Sequence, residues 1–224
     1  MTVLANFQDP ALWWFRKAFE EGAQRIGEPV VALSMWNAQN APEAGIAHCP
    51  RCWTEGYGHP DPLCPYCFGT GWEGGIRKAW FCNAIRTNPS QQNAVDQKMG
   101  RLAGESAVLD LPWYCDVWEF DFALFINGWS LGEDGRYSPL EQEAWQIAAA
   151  PQVKYMKTGS VQYSGKIKIS VKADIKRVNM DNSPILGVKW QTLPQLSSTA
   201  FFCPTQQGEP SLPVVLASSS SLKV

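Results

Sequence analysis

KIKISVKADIKRV, residues 166–178, alternates almost without a break. Ile167, Ile169, Val171, Ala173 and Ile175 interleave with Lys166, Lys168, Ser170, Lys172, Asp174 and Lys176. A period of two is the mark of a strand with one buried face and one wet face. ILGVKWQTL (185–193) is expected to pair with it after the turn NMDNSP. Upstream, residues 107–126 carry strand-type side chains broken at Pro112, and KAWFCNAIR (78–86) and VVALSMW (30–36) read as two further strands.

Two helices are predicted around these strands. Asp9 is a good N-cap, Pro10 fits the first helical position, and Gly27 and Pro29 end the run. Leu12, Phe15, Phe19, Ala23 and Ile26 then form one apolar stripe. Near 138–149, Ser138 and Glu141 make a capping box and Pro151 stops the second helix. The stretch TNPSQQNAVDQKMGRLAGES reads as an exposed loop, and the last twenty residues as an arm or tail.

The class is therefore mainly β with minor α. An antiparallel β-barrel or sandwich-like domain carries an N-terminal helix and an inserted zinc-ribbon-like module. The expected organisation is 1–44 (helix and strand joining the β domain), 45–77 (Cys module), 78–204 (β domain with the second helix) and 205–224 (arm).

The insert holds Cys49, Cys52, Cys64 and Cys67 in the pattern C-x2-C-x11-C-x2-C. Two such pairs, joined by a short loop, offer four thiolates for one tetrahedral ion. The implied cofactor is a structural zinc ion, because four sulfurs leave no position for an activated water. His48 and His59, the only two histidines, are expected outside that shell. Cys82, Cys115 and Cys203 stand in apolar contexts and read as core thiols. Gly69, Gly71 and Gly74 spell G-x-G-x-x-G, but they follow a metal ligand and run into a strand, so a dinucleotide turn is rejected. The glycines are instead expected to supply positive φ and close backbone approach beside the sulfurs.

Composition narrows the function. The net charge of −2 gives no global basic field for nucleic acid. No apolar run approaches the roughly 18 residues of a membrane span, and the N-terminus lacks the pattern of a secretory signal. With both histidines in the Cys region, no histidine-based triad is expected, and no catalytic residue is assigned. Asp110, Asp116, Glu119 and Asp121 read as acids on a wet strand face, with a hydrolase built on them as the weaker alternative. Eleven Trp in a chain only 18% charged fit either a protein that buries surface against partners or one that fills its own core with them, and composition does not separate the two.

Three stretches in order, RIGEPVVALSMW, CPRC…CPYCFGTGWEGG and SPILGVKWQTLPQLSS, resemble tailed-bacteriophage neck proteins, the head-to-tail connector and head-closure subunits. Cys pairs followed by F-G-T-G also occur in J-domain chaperone zinc modules, which repeat the motif; this chain has it once. The neck resemblance implies a structural virion protein, assembled in the bacterial cytoplasm. Its copies would form a ring that joins portal to tail and helps seal packaged DNA. Its partners would be further copies of itself and the neighbouring portal, adaptor and tail proteins. Lys166, Lys168, Lys172 and Lys176 would then be the residues to meet DNA non-specifically. A zinc-ribbon module binding nucleic acid or protein, and a tail or baseplate subunit, are the other readings.

Overall fold

The computed structural model describes residues 10–53, 59–87, 106–157, 166–178 and 183–196. Asp9, Cys203, the 88–105 stretch and the C-terminal arm lie outside these residues. Among the described residues, helix α1 (Pro10–Ile26) precedes nine strands: β1 (Glu28–Met35), β2 (Ile76–Thr87), β3 (Ser106–Pro112), β4 (Phe122–Phe125), β5 (Gly128–Leu131), β6 (Tyr137–Leu140), β7 (Glu143–Ile147), β8 (Gln152–Lys157) and β9 (Lys166–Arg177). Strands β3, β2, β1, β4, β7 and β9 pair antiparallel in that order, and β9 returns to β3. The result is a closed six-stranded barrel. Strand β9 closes it: one edge pairs with β3, the other with β7 and then β8.

The register assigns faces. Val30, Ala32, Cys82, Ala84, Leu109, Leu111, Ala123, Phe125, Trp145, Ile147, Val171, Ala173 and Ile175 fill the barrel interior. Outside it lies a second core. Val31, Leu33, Met35, Leu124 and Ala144 point away from the interior and are covered by the β5–β6 hairpin and residues 184–190. Trp190, 1% exposed, is the keystone of this layer. It exchanges two backbone hydrogen bonds with Tyr137 and packs edge-on against Trp129. Strand β1 is therefore buried on both faces, which is why VVALSM reads as a continuous apolar run.

One mouth of the barrel is closed by charge. Arg86, Glu28, Glu143 and Arg177 all stand on the inward phase of their strands. The Arg86 guanidinium donates to Glu28 at 2.8 and 3.1 Å and to Glu143 at 3.0 Å, and lies over the rings of Phe125 and Trp145. Arg86→Met is expected to destabilise the fold by about 1–2 kcal/mol, since it leaves two half-exposed carboxylates facing each other. Urea unfolding at neutral pH measures this; an unchanged midpoint contradicts the assignment.

Four expectations need correction. Residues 138–149 are not a helix but β6, a turn at Glu141 (φ 47°) and β7. The capping-box residues Ser138 and Glu141 are overruled because β7 must fill the gap between β4 and β9, with Trp145 and Ile147 inside and Ala144 outside. Residues 185–193 do not pair with β9; Pro184–Gly187 is a 3-10 turn, and Trp190 bridges to Tyr137. The α1 stripe is split. Ala23 is buried and Phe19 half-buried, but Phe15 and Ile26 face solvent at 46% and 74% exposure.

The fourth correction concerns the lysine face of β9. Pairing with β8 slips between Lys154 and Tyr155, whose partners are Ser170 and Lys168, so Ile169 is an extra residue. That bulge breaks the alternation. Ser170 becomes buried, and half-buried Lys168 turns its Nζ to the carbonyl of Cys115 at 3.0 Å. Lys172 stands opposite Asp110, which also accepts from Lys154 at 2.8 Å. The face is of mixed charge, not a basic stripe.

Candidate metal centre

The Cys-rich stretch is the connection between β1 and β2, which are paired neighbours. It leaves the barrel at Met35 and returns at Ile76, and the Trp36 N–H donates to the Gly75 carbonyl across its neck. Among the described residues, its own core consists of Cys49, Cys64 and Cys67, with Cys52 and Tyr66 beside them.

Each Cys pair forms a tight turn. The Trp53 N–H donates to Cys49 O at 3.1 Å, and the Phe68 N–H to Cys64 O at 2.9 Å. The first pair is tied to the second through Cys49 N–H to Gly71 O at 2.8 Å. These turns bring all four Sγ atoms within 4.8 Å of one another, so the four cysteines lie close enough to bind a metal ion. Cys49 and Cys64 sulfurs are 3.9 Å apart and those of Cys52 and Cys67 are 3.4 Å apart. A tetrahedral ion with sulfur at about 2.3 Å needs sulfurs roughly 3.8 Å apart, so the donor set fits.

Burial pushes the Cys67 and Cys52 thiols upward. Burial also opposes ionisation of Cys64, yet the N–H groups of Cys67 and Tyr66 outweigh it and bring this thiol down. A cation among the sulfurs would favour the thiolate at all four.

The expected positive φ holds at all three glycines, and close approach holds at Gly69 and Gly71 but not at Gly74. Gly69, Gly71 and Gly74 have φ of 82°, 77° and 75°. Gly75, at 66°, is the tightest: a Cβ there would lie 2.4 Å from the Cys67 carbonyl oxygen. Strand β2, not a helix, follows at Ile76, against any dinucleotide turn. His48 stacks between Trp53 and Trp72, with centroids at 3.7 and 4.1 Å, and neither histidine belongs to the sulfur cluster. Phe68 fastens the stretch to the outer core of the barrel.

The acidic group near 110–121 disperses. Asp110 pairs with Lys154 and Asp116 with Arg77, while Glu119 is exposed. Asp121 is buried, not on a wet face. Its two carboxylate oxygens accept the N–H groups of Met35 and Trp118, each at 2.7 Å. Burial pushes this carboxyl up to about 7, against those N–H groups, the Ser34 hydroxyl and Arg77. Asp121 ties the base of the Cys-rich connection to the segment 113–121, a role that a lone acid in WEFDF does not advertise. Cys82 and Cys115 are buried in the barrel interior with sulfurs 3.9 Å apart, as core thiols should be.

No protein-family model matches the sequence, and no curated protein matches it. Among the described residues no helix is long and apolar enough to cross a membrane.

Proposed function

We propose that the chain is a non-catalytic structural subunit that works by self-association, as a ring component of a tailed-phage neck. The observation that carries this reading is the distribution of its chemistry. The barrel interior is filled by its own side chains, and the sulfur cluster can saturate an ion by itself. Large apolar side chains meanwhile stand exposed on the helix and on the loop before β4: Trp14, Phe15, Ile26, Trp118 and Phe120. Contiguous exposed apolar groups mark contact surfaces, and Trp14 with Phe15, their rings 5.5 Å apart, and Trp118 with Phe120 stand as neighbouring pairs. The resemblance in order of parts supplies the virion context, and portal, adaptor and tail proteins are the other partners it implies.

The metal is zinc in this reading, since soft thiolates in a tetrahedral set select zinc or iron, and zinc serves as the inert staple. Its role is to hold the β1–β2 connection in shape. The mixed charge of the β9 face makes packaged DNA a minor, non-specific contact at most. Sedimentation velocity combined with elemental analysis tests the proposal. A defined multimer with one zinc per chain is the expected result. A metal-free monomer at all concentrations contradicts it.

A further inference from the structure

Two apolar features sit on different sides of the barrel. The first is a hook. Segment 113–121 crosses the mouth opposite Arg86, with Cys115 and Val117 sunk into the interior. It then turns out on the β4–β7 side, where the Phe120 N–H donates to Ile147 O at 2.9 Å and the Ile147 N–H to Asp121 O at 2.8 Å. Phe120 is held at φ 69°, a costly conformation for a bulky residue, and is nevertheless 65% exposed. Trp118 beside it is 51% exposed, and its own N–H is fixed by Asp121. Two aromatic rings flank an exposed Glu119 on a backbone that cannot collapse inward. Strain maintained to display apolar rings points to a contact.

The second feature is the outer face of α1, on the side of β2, β3 and β9. Phe15, Ala18, Gly22 and Ile26 follow one another at helical spacing on one face, two small residues between two large exposed ones. A Cβ on Gly22 would meet nothing within 4 Å, so the space over it is open. Arg25 is exposed on the flank of this face.

We propose that the Trp118–Phe120 hook of one copy docks on the Phe15–Ile26 face of α1 in a second copy. An aromatic ring fits over Gly22, and Glu119 approaches Arg25. Glu119 and Arg25 are of opposite charge, and the neighbouring Glu21 is paired with Lys17 at 3.6 Å. Because hook and helix face are different surfaces, the contact is heterologous, the type from which a ring is built when the rotation between copies closes. This inference rests on the self-association proposed above and names its contact.

The test uses the full, metal-loaded chain. A benzoylphenylalanine replaces Phe120, and ¹⁴N and ¹⁵N chains are mixed before photolysis. Mixed-isotope crosslinks mapping to residues 10–26 are the expected result. Sedimentation of Gly22→Leu and Glu119→Lys should show at least a tenfold weaker association than the parent chain, and Glu119→Lys with Arg25→Glu should restore it. If the parent self-associates but crosslinks map elsewhere, or neither variant weakens it, this contact is wrong while the ring reading stands. If the parent gives no mixed crosslink and sediments as a monomer, both fail.

Discussion

Cys64→Ser is expected to melt the β1–β2 connection while the barrel stays folded. Among the described residues, Cys49, Cys64 and Cys67 are the buried centre around the sulfurs, with the Trp53–His48–Trp72 stack nearby, and Phe68 reaches from this stretch into the barrel's outer layer. A structural ion in such a setting contributes on the order of 10 kcal/mol of apparent folding free energy. The barrel owes nothing comparable to it, since its interior and its outer layer are each built from aliphatic and aromatic side chains. Amide exchange separates the two. The Cys49 and Phe68 N–H groups, which bond Gly71 and Cys64 carbonyls, should lose their protection. Those of Val30 and Leu33, inside the β1 ladders, should keep it. Treatment of the parent chain with a chelator should give the same pattern. Equal protection of Phe68 in variant and parent would refute the argument.

Asp121→Ala should be strongly destabilising although Asp121 touches no metal ligand. It leaves one buried backbone donor, Met35 N–H, without a partner, at about 1–3 kcal/mol, and a second, part-buried one, Trp118 N–H, at about 1 kcal/mol. A loss of about 2–4 kcal/mol is a large part of the stability of an ordinary domain. Asp121→Asn should cost about half as much, because its carbonyl oxygen still accepts one N–H while its amide nitrogen faces the other. The pH dependence has a definite sign. Burial raises the folded carboxyl from 3.8 to about 7, so the native state holds this proton longer than the unfolded chain does. The group's contribution is full at low pH and declines as pH rises through about 4 to 7. The gap between parent and Asp121→Asn should therefore narrow from pH 4 to pH 7 in urea titrations. A gap that widens, or an Ala variant as stable as the parent, contradicts the role.

What the sequence declared, and what it hid, follows from how many faces each element buries. Strand β9 has one buried and one wet face over most of its length, so Val171, Ala173 and Ile175 were legible as core. Its bulge at Ile169 leaves no trace in the alternation and reverses the reading of Lys168. Strand β7 carries an interior face and a covered outer face, so Ala144, Trp145 and Ile147 lose their period of two and pass for a helix. The outer core that causes this, centred on Trp190, is assembled from segments far apart in sequence. Of the candidate site, the four cysteines and the positive-φ glycines were legible, because metal spacing is local. Asp121 was not, since its partners lie 86 residues away at Met35 and across a short turn at Trp118. The ionic mouth was half-written: Arg86 continues the inward phase of Trp80, Cys82 and Ala84, a charged residue where an apolar one is due.

X-ray absorption at the zinc edge on the purified full chain tests the central claim most directly. Four sulfur scatterers at about 2.3 Å, and no nitrogen or oxygen in the first shell, are the result predicted by a cluster of Cys49, Cys52, Cys64 and Cys67. A shell containing an oxygen or imidazole ligand, or no zinc signal above background, would contradict it.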